Sequence, residues 1–232
     1  MIDKLSSDSK SITKRSVCQV DYQKFIENAK NDRMEAAVNA LSVMLLETDV
    51  DSIKMTDVAE ACDIGVASLY RYFGNKSVMV IKAACKIWEN IRSMFDGVFE
   101  CDYYQKKSGI DQVKELMKVF KVLYLSHKDF LRFVDSFDRF VIENKISTEQ
   151  LSDYQASVLN IYPLFNEAFT KGVNDGTVKG DIDFPIMYLS ITHALMLMSE
   201  KFARGSIFEG ESEYEEKELD FIIDMAIRSI SA

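Results

Sequence analysis

Proline and glycine are scarce, two and nine in 232 residues. The tight turns of a sheet-rich fold draw on both residue types, so long helices are the expected architecture. Cysteine is scarce as well. Cys18, Cys62, Cys85 and Cys101 form no Cys-x-x-Cys pair. With no secretory signal in view either, a reduced, cytoplasmic setting is expected. Cys62 and Cys85 fall on apolar helix faces, where thiols behave as small core residues. His127 and His193 are the two histidines, and neither stands in a His-x-x-x-His or Glu-x-x-His arrangement; no metal site is expected. A nucleophile elbow, a Gly-rich phosphate loop and a dinucleotide fingerprint are all missing, which argues against an enzyme and against a bound cofactor. No apolar run approaches the roughly 18 residues that cross a bilayer. Basic excess is lacking too, since the net charge is −9. Any nucleic acid must therefore meet a local patch, not a generally cationic surface.

Such a patch is present. Between Ile64 and Arg92 stand Arg71, Lys76, Lys82, Lys86 and Arg92, opposed only by Glu89. It overlaps the stretch around which the chain is organised, Met55–Lys76, MTDVAEACDIGVASLYRYFGNK. This reads as a short helix from Thr56 to about Cys62, a turn at Asp63-Ile64-Gly65, and a second helix from Val66 to about Phe73. Thr56 is a good N-cap, because its hydroxyl can accept from free backbone N–H groups of the first turn. Asp63 stands where the first helix must stop and tolerates left-handed backbone better than most residues. Val58, Ala59, Cys62, Ile64, Leu69 and Phe73 are spaced so that two crossing helices share a small core. That is a helix-turn-helix unit, whose second helix enters the DNA major groove. On its outer face Ala67 and Ser68 are small enough for close approach. Tyr70, Arg71, Tyr72 and Lys76 supply hydroxyls and cations at phosphate level, while Val66, Ala67 and Ser68 face bases. An aromatic YRYF run by itself is a pattern of plain core. Here cap, turn, small-residue face and basic flank agree.

At these residues the chain resembles TetR-family repressors. Val58-Ala59, Ile64, Ser68-Leu69-Tyr70, Tyr72-Phe73 and Lys76 follow that family's small-Leu-Tyr-x-(His/Tyr)-Phe-x-x-Lys pattern. Lys54 and Met55 stand where the family often has a Thr pair, which shifts capping and phosphate contact to Thr56. Asp63 and Gly65 replace a common Gly and Ser of the turn. The DNA-binding set expected on these grounds is Lys54, Thr56, Gly65, Val66, Ala67, Ser68, Tyr70, Arg71, Tyr72 and Lys76.

Along the chain, Met1 to about Arg15 is Ser- and Lys-rich and reads as a tail without fixed structure, solvated or trailing on DNA; Val20–Lys30 can be helical. Met34, Ala37, Val38, Leu41, Met44 and Leu45 keep helical period, giving a helix from about Asn31 to Glu47 that completes a three-helix head. After Gly74-Asn75 a connecting helix is expected from Lys76 to about Phe99, with the stripe Met79, Ala83, Ile87, Ile91, Met94, Phe95 and Val98. Cys101–Gly109 reads as a polar loop. Helices follow over Ile110–Ser126, Lys128–Asn144, Thr148–Lys171 with a bend at Pro163, Pro185–Arg204 and Ser212–Ser231. The expected fold is all-α, with about nine helices. Its divisions are an arm over 1–30, a helix-turn-helix DNA-binding domain over 31–77, and a helical effector-binding and dimerisation domain over 78–232.

The last two helices are apolar on more than one side, and a helix apolar all round must be covered all round. A second copy is the simplest cover. The resemblance implies the same, a four-helix bundle between protomers, and the interface is expected at Met187, Ile191, Leu195, Met198, Phe221, Ile222 and Met225. Helix bundles also hold ligands between helices, and the resemblance implies a small-molecule inducer here. Its lining is expected among Trp88, Phe130, Phe133, Phe137, Tyr154, Tyr162, Phe165, His193 and Met196. An inward-facing Asp135 or Asp138 within the Phe133–Phe140 run would favour a cationic aromatic ligand, against the simpler reading of a solvated face. The function read from all this is a ligand-responsive transcriptional regulator, most simply a repressor. It binds a pseudo-palindromic operator as a homodimer and is released by an effector of unspecified identity. The rival is a helical adaptor whose head reads no specific DNA, since Val66 and Ala67 cannot hydrogen-bond a base edge through their side chains.

Overall fold

The computed structural model describes residues 5–205, 207 and 210–232, with side chains from Gln23 onward apart from Glu211. It is all-α, eleven α-helices among the described residues, with one isolated bridge, Val178 to Ser231, where the chain end meets the 175–183 loop. Helix α1 runs unbroken from Leu5 to Glu47. The helix expected from Asn31 is therefore its second half. Residues 5–15, expected to be unstructured, are its first turns, while Met1–Lys4 lie outside the described residues. No Gly or Pro occurs before Gly65, so nothing in the backbone stops the helix earlier.

A 3-10 turn over Val50–Ser52 leads to α2, Met55–Ala61, and α3, Val66–Phe73. Helix α2 starts one residue before Thr56. Its first turn is closed by Asp57, whose carboxylate accepts from Lys54 N–H at 2.9 Å; the capping role expected of Thr56 belongs to Asp57. Asp63 takes φ 51° in the turn, and Gly74 takes φ 77° after α3. The Asn75 side chain then accepts from Val78 N–H at 3.0 Å and opens α4, Lys76–Phe95. That rod ends four residues short of the expected Phe99, leaving Met94 and Val98 exposed.

The body adds α5, Asp102–Gln105, inside the expected loop, then α6, Gly109–Ser126, and α7, Lys128–Glu143. The expected Thr148–Lys171 helix is two helices, α8 over Ser152–Ser157 and α9 over Tyr162–Asn174. Pro163 sits in the first turn of α9, where its missing N–H has no intrahelical partner to lose, so the chain breaks before the proline and does not bend at it. Helices α10, Phe184–Arg204, and α11, Glu215–Ile230, close the fold. The acidic stretch around α11 is met by α6: Lys121 reaches Glu216 and Asp220, and Lys114 reaches Asp224 at 2.7 Å.

Head and body share one continuous apolar core, from Leu41, Val58 and Leu69 through Met79 and Ile87 to Phe133, Leu195 and Ile223. Their junction is also bonded. Ser136 on α7 accepts from Val50 N–H at 3.1 Å, and Arg139 reaches Asp49 at 3.2 Å.

Candidate DNA-binding surface and effector cavity

Leu69 and Phe73 anchor α3 in the head core, so the opposite face must stand outward. Gly65, Ala67, Tyr70 and Arg71 are exposed there, with Val66, Ser68 and Tyr72 half-buried beside them. The first N–H groups of α3 have no helical partners, and the helix dipole adds partial positive charge at that end. Arg71 donates to Ser68 Oγ at 3.2 Å and lies over the Tyr72 ring. Hydrogen bonds from Arg71 and from Arg33 hold the Tyr72 phenol below its ordinary pKa. Arg33 belongs to α1, far away in sequence, and was missed because no local motif links it to α3. Lys54 and Thr56 are exposed at the start of α2.

Lys76 is placed differently from the expectation. Its Nζ donates to the Val50 carbonyl at 2.7 Å and lies 5.8 Å from the centre of the Phe140 ring. Burial pushes its pKa down, against the pull of Asp51 and Asp57. The ammonium is engaged at the head–body junction and is not displayed beside Tyr70. Elsewhere in the patch, Lys86 pairs with Glu89 at 3.3 Å.

In the body an apolar cavity of about 370 Å³ opens between α4, α6, α7, α8 and α10. Of the expected lining, Trp88, Tyr154, His193 and Met196 are there, joined by Phe120, Tyr188, Asp138 and Glu200. Phe130, Phe133, Phe137 and Phe165 are not; they are fully buried core. Tyr162 packs outside, edge-on to Phe184 and Tyr188. Trp88 Nε1–H donates to Tyr154 OH at 3.0 Å and its ring sits edge-on to Phe130, so the wall is held in place. Burial pushes the Tyr154 phenol up. Glu200 is over nine-tenths buried; burial first, then Asp138 and Asp135, pushes its carboxyl to about 7. Asp138 is raised by burial and by Asp135. Asp135 itself is paired, with Arg204 at 3.0 Å and Arg139 at 3.8 Å.

On the expected interface, Met187 and Leu195 are buried in the protomer's own core, Ile191, Met198 and Ile222 are half-buried, and Phe221 and Met225 are exposed. The outward apolar side chains of α10 are instead Ile186, Leu189 and Leu197, about half to two-thirds exposed. The densest stripe on α10 fills its own bundle, and the sparser one is left uncovered. Among the described residues no group of His, Cys, Asp and Glu has metal-binding geometry, and no helix is long and apolar enough to cross a membrane.

Residues 39–83 match the family model described as bacterial regulatory proteins, tetR family. The resemblance read from Val58–Lys76 therefore extends over residues 39–83. No curated protein matches the chain by sequence. Among solved structures it is similar to a TetR-family transcriptional regulator from a Rhodococcus species, with 13% identity over 84% of this chain and 99% of that one, at a TM-score of 0.61. It is similar also to the transcriptional regulator FadR from Bacillus subtilis in complex with stearoyl-CoA, with 12% identity over 84% and 98% of the chains, at 0.58. AibR in complex with isovaleryl coenzyme A and operator DNA gives 15% identity over 83% and 97%, at 0.55. At these identities the likeness is one of fold. A tetR-type head on a TetR-like helical body is what the chain presents.

Proposed function

We propose, with that head and body as premise, that the chain is an effector-responsive transcriptional repressor acting in the cytoplasm as a homodimer. The observation that carries this reading is the outward face of α3, on the segment matching the family model, with Ala67, Tyr70 and Arg71 exposed together. Arg71, Tyr70, Tyr72, Arg33, Lys54 and Thr56 take phosphates, and Val66, Ala67 and Ser68 lie against base edges. The uncovered side chains Ile186, Leu189, Leu197, Phe221 and Met225 supply a two-fold interface, which presents α3 twice to a pseudo-palindrome. Solved relatives carry acyl-CoA ligands, one of them with operator DNA, which supports a small-molecule effector in the α4–α10 cavity.

Release follows from how the cavity is connected. Helix α7 carries Asp138 and Val134 on the cavity side and Ser136, Arg139 and Phe140 on the side that holds the head. Helix α4 carries Trp88 in the cavity wall and, at its other end, Lys76 bonded to Val50 at the head–body junction. A ligand that spreads this cavity moves both, and effector and operator then weaken each other by the same factor.

The test is a gel shift with promoter DNA flanking the gene, at two salt concentrations. Sequence-selective retention that weakens with salt is expected. Retention without selectivity, or none at any salt, leaves a helical adaptor as the reading.

A further inference from the structure

We propose that the α4–α10 cavity is built for a cationic, largely apolar molecule, an aromatic amine or a quaternary ammonium. This rests on the effector-responsive reading and narrows it to a charge class. Glu200 is 7% exposed and lines the cavity, and among the described residues its carboxylate has no hydrogen-bond donor and no ion-pair partner, its oxygens not being wholly sealed from solvent. Asp138 on α7 also lines the cavity but is exposed, and among the described residues it has no ion-pair partner. The neighbouring cations are engaged elsewhere. Arg204 pairs with Asp135, Arg139 with Asp49, and Arg132 donates to the Ala203 carbonyl at 3.2 Å. No lysine or arginine lines the cavity among the described residues.

Glu200, buried in the apolar wall with no ion-pair partner, is costly to ionise, and the exposed carboxylate of Asp138 raises that cost further. A ligand cation between them relieves both at once, which no neutral or anionic ligand does. The walls suit the same guest. Trp88 and Tyr154 are locked to each other by a hydrogen bond, and aromatic faces attract cations, the more so out of water. The size, about 370 Å³, takes a body of one or two rings with alkyl substituents. An acyl-CoA would bring its phosphates to the wrong sign of charge.

Trp88 is the only tryptophan, so its fluorescence reports occupancy of its own cavity. The full-length protein is titrated with para-tert-butylbenzylamine, the matched benzyl alcohol, the matched benzoate and stearoyl-CoA at pH 8. The amine is expected to bind at least tenfold more tightly than the alcohol and the benzoate. Glu200→Gln and Asp138→Asn are each expected to weaken the amine tenfold or more, with near-UV circular dichroism reporting that each variant is folded. Equal binding of amine and alcohol, tighter binding of benzoate or stearoyl-CoA, no binding of any probe, or amine affinity unchanged in both variants overturns the proposal. Operator retention by the unliganded wild-type protein, run alongside, separates a wrong charge class from a wrong regulator reading.

Discussion

Two cations five residues apart, Arg71 in the last turn of α3 and Lys76 at the start of α4, face different fates because of where their side chains end. Arg71 is exposed and, among the described residues, is tied only to Ser68 and Tyr72. Arg71→Ala should weaken binding to all DNA sequences alike and lower the slope of log affinity against log salt by about one unit. Lys76→Met should leave that slope unchanged, because its ammonium bonds the Val50 carbonyl. It should instead lower stability by about 1–3 kcal/mol, through an acceptor left unpaired; denaturant unfolding and a salt series of operator titrations separate the two. Glu200 gives a pH signature. Charged or titratable groups around it are Asp135 and Asp138 on α7, Tyr154 on α8, and His193 and Arg204 on α10. Its carboxyl titrates near 7 in the fold, against an ordinary 4.5. Between those values the folded chain holds a proton that the unfolded chain has lost, so stability falls as pH rises through the window and stays lower above it. Glu200→Gln should therefore raise the melting temperature at pH 8, by an amount worth at most about 3 kcal/mol, and change it little at pH 4.5. Thermal melts at the two pH values check this, and an equal gain at both would show that the charge is not what burial penalises.

Helices meet most closely where side chains are smallest. Gly109 opens α6 directly against Gly172 of α9, and a Cβ at Gly109 would fall on the α9 backbone, 2.7 Å from the Lys171 carbonyl carbon. Asp175 Oδ2 accepts from Gly109 N–H at 2.8 Å and Thr177 Oγ1 accepts from Ile110 N–H at 3.2 Å, so the crossing is fixed from both sides. Gly109→Ala should cost about 1–3 kcal/mol, since backbone has to give way and not a flexible side chain; a denaturant midpoint shift at unchanged slope is the readout. What was legible in the sequence has a common cause. Asp63 and Gly74 end helices through their backbone conformation and Asn75 starts one through its side chain, and Leu69 and Phe73 share one short period, so the helix-turn-helix could be read locally. Most body helices followed for the same reason, though α5 and the division of Thr148–Lys171 into α8 and α9 did not. Asp57 displaced Thr56 as the cap through a local contact, its carboxylate at the third helical position reaching back to Lys54 N–H. Harder cases depend on distant partners. Lys76 turned inward because a carbonyl 26 residues earlier was waiting for it. Glu200 and Asp138 lie on different helices and meet only once α7 and α10 pack; periodicity carries no record of that meeting. The junction between Ser136 and Val50 is of the same kind. Ser136→Ala leaves the buried Val50 N–H unpaired, and the operator affinity ratio with and without effector should shrink by about 0.5–2 kcal/mol. Effector affinity of the DNA-free protein, measured separately, should stay within twofold.

For the whole molecule, the decisive quantity is what a single copy leaves uncovered. Ile186, Leu189 and Leu197 on α10 and Phe221 and Met225 on α11 expose about half to two-thirds of their surface. Burying such a side chain from full exposure is worth roughly 1.5–3 kcal/mol, of which about half to two-thirds remains to be gained here, and a two-fold axis counts every one twice, against an association cost of about 4–15 kcal/mol. The sum favours a dimer built on these positions and not on Met187 or Leu195, which already fill the protomer's own core. In the proposed dimer one head contacts one half-site and the second contact becomes intramolecular once the first is made, so dimerisation would set DNA affinity. Leu197→Glu combined with Phe221→Glu should therefore give a folded monomer, since neither side chain belongs to the internal core. Its helix content should match the wild type, its sedimentation should be that of 26.5 kDa, and its operator affinity should fall by about 100-fold or more. Its affinity for a single half-site should stay within about threefold of the dimer's per-head value, because Arg71 and Tyr70 are untouched. A dimer that persists in sedimentation would move the interface off α10 and α11. Operator affinity that survives in a proven monomer would remove the need for two heads, and with it the register on which effector release depends.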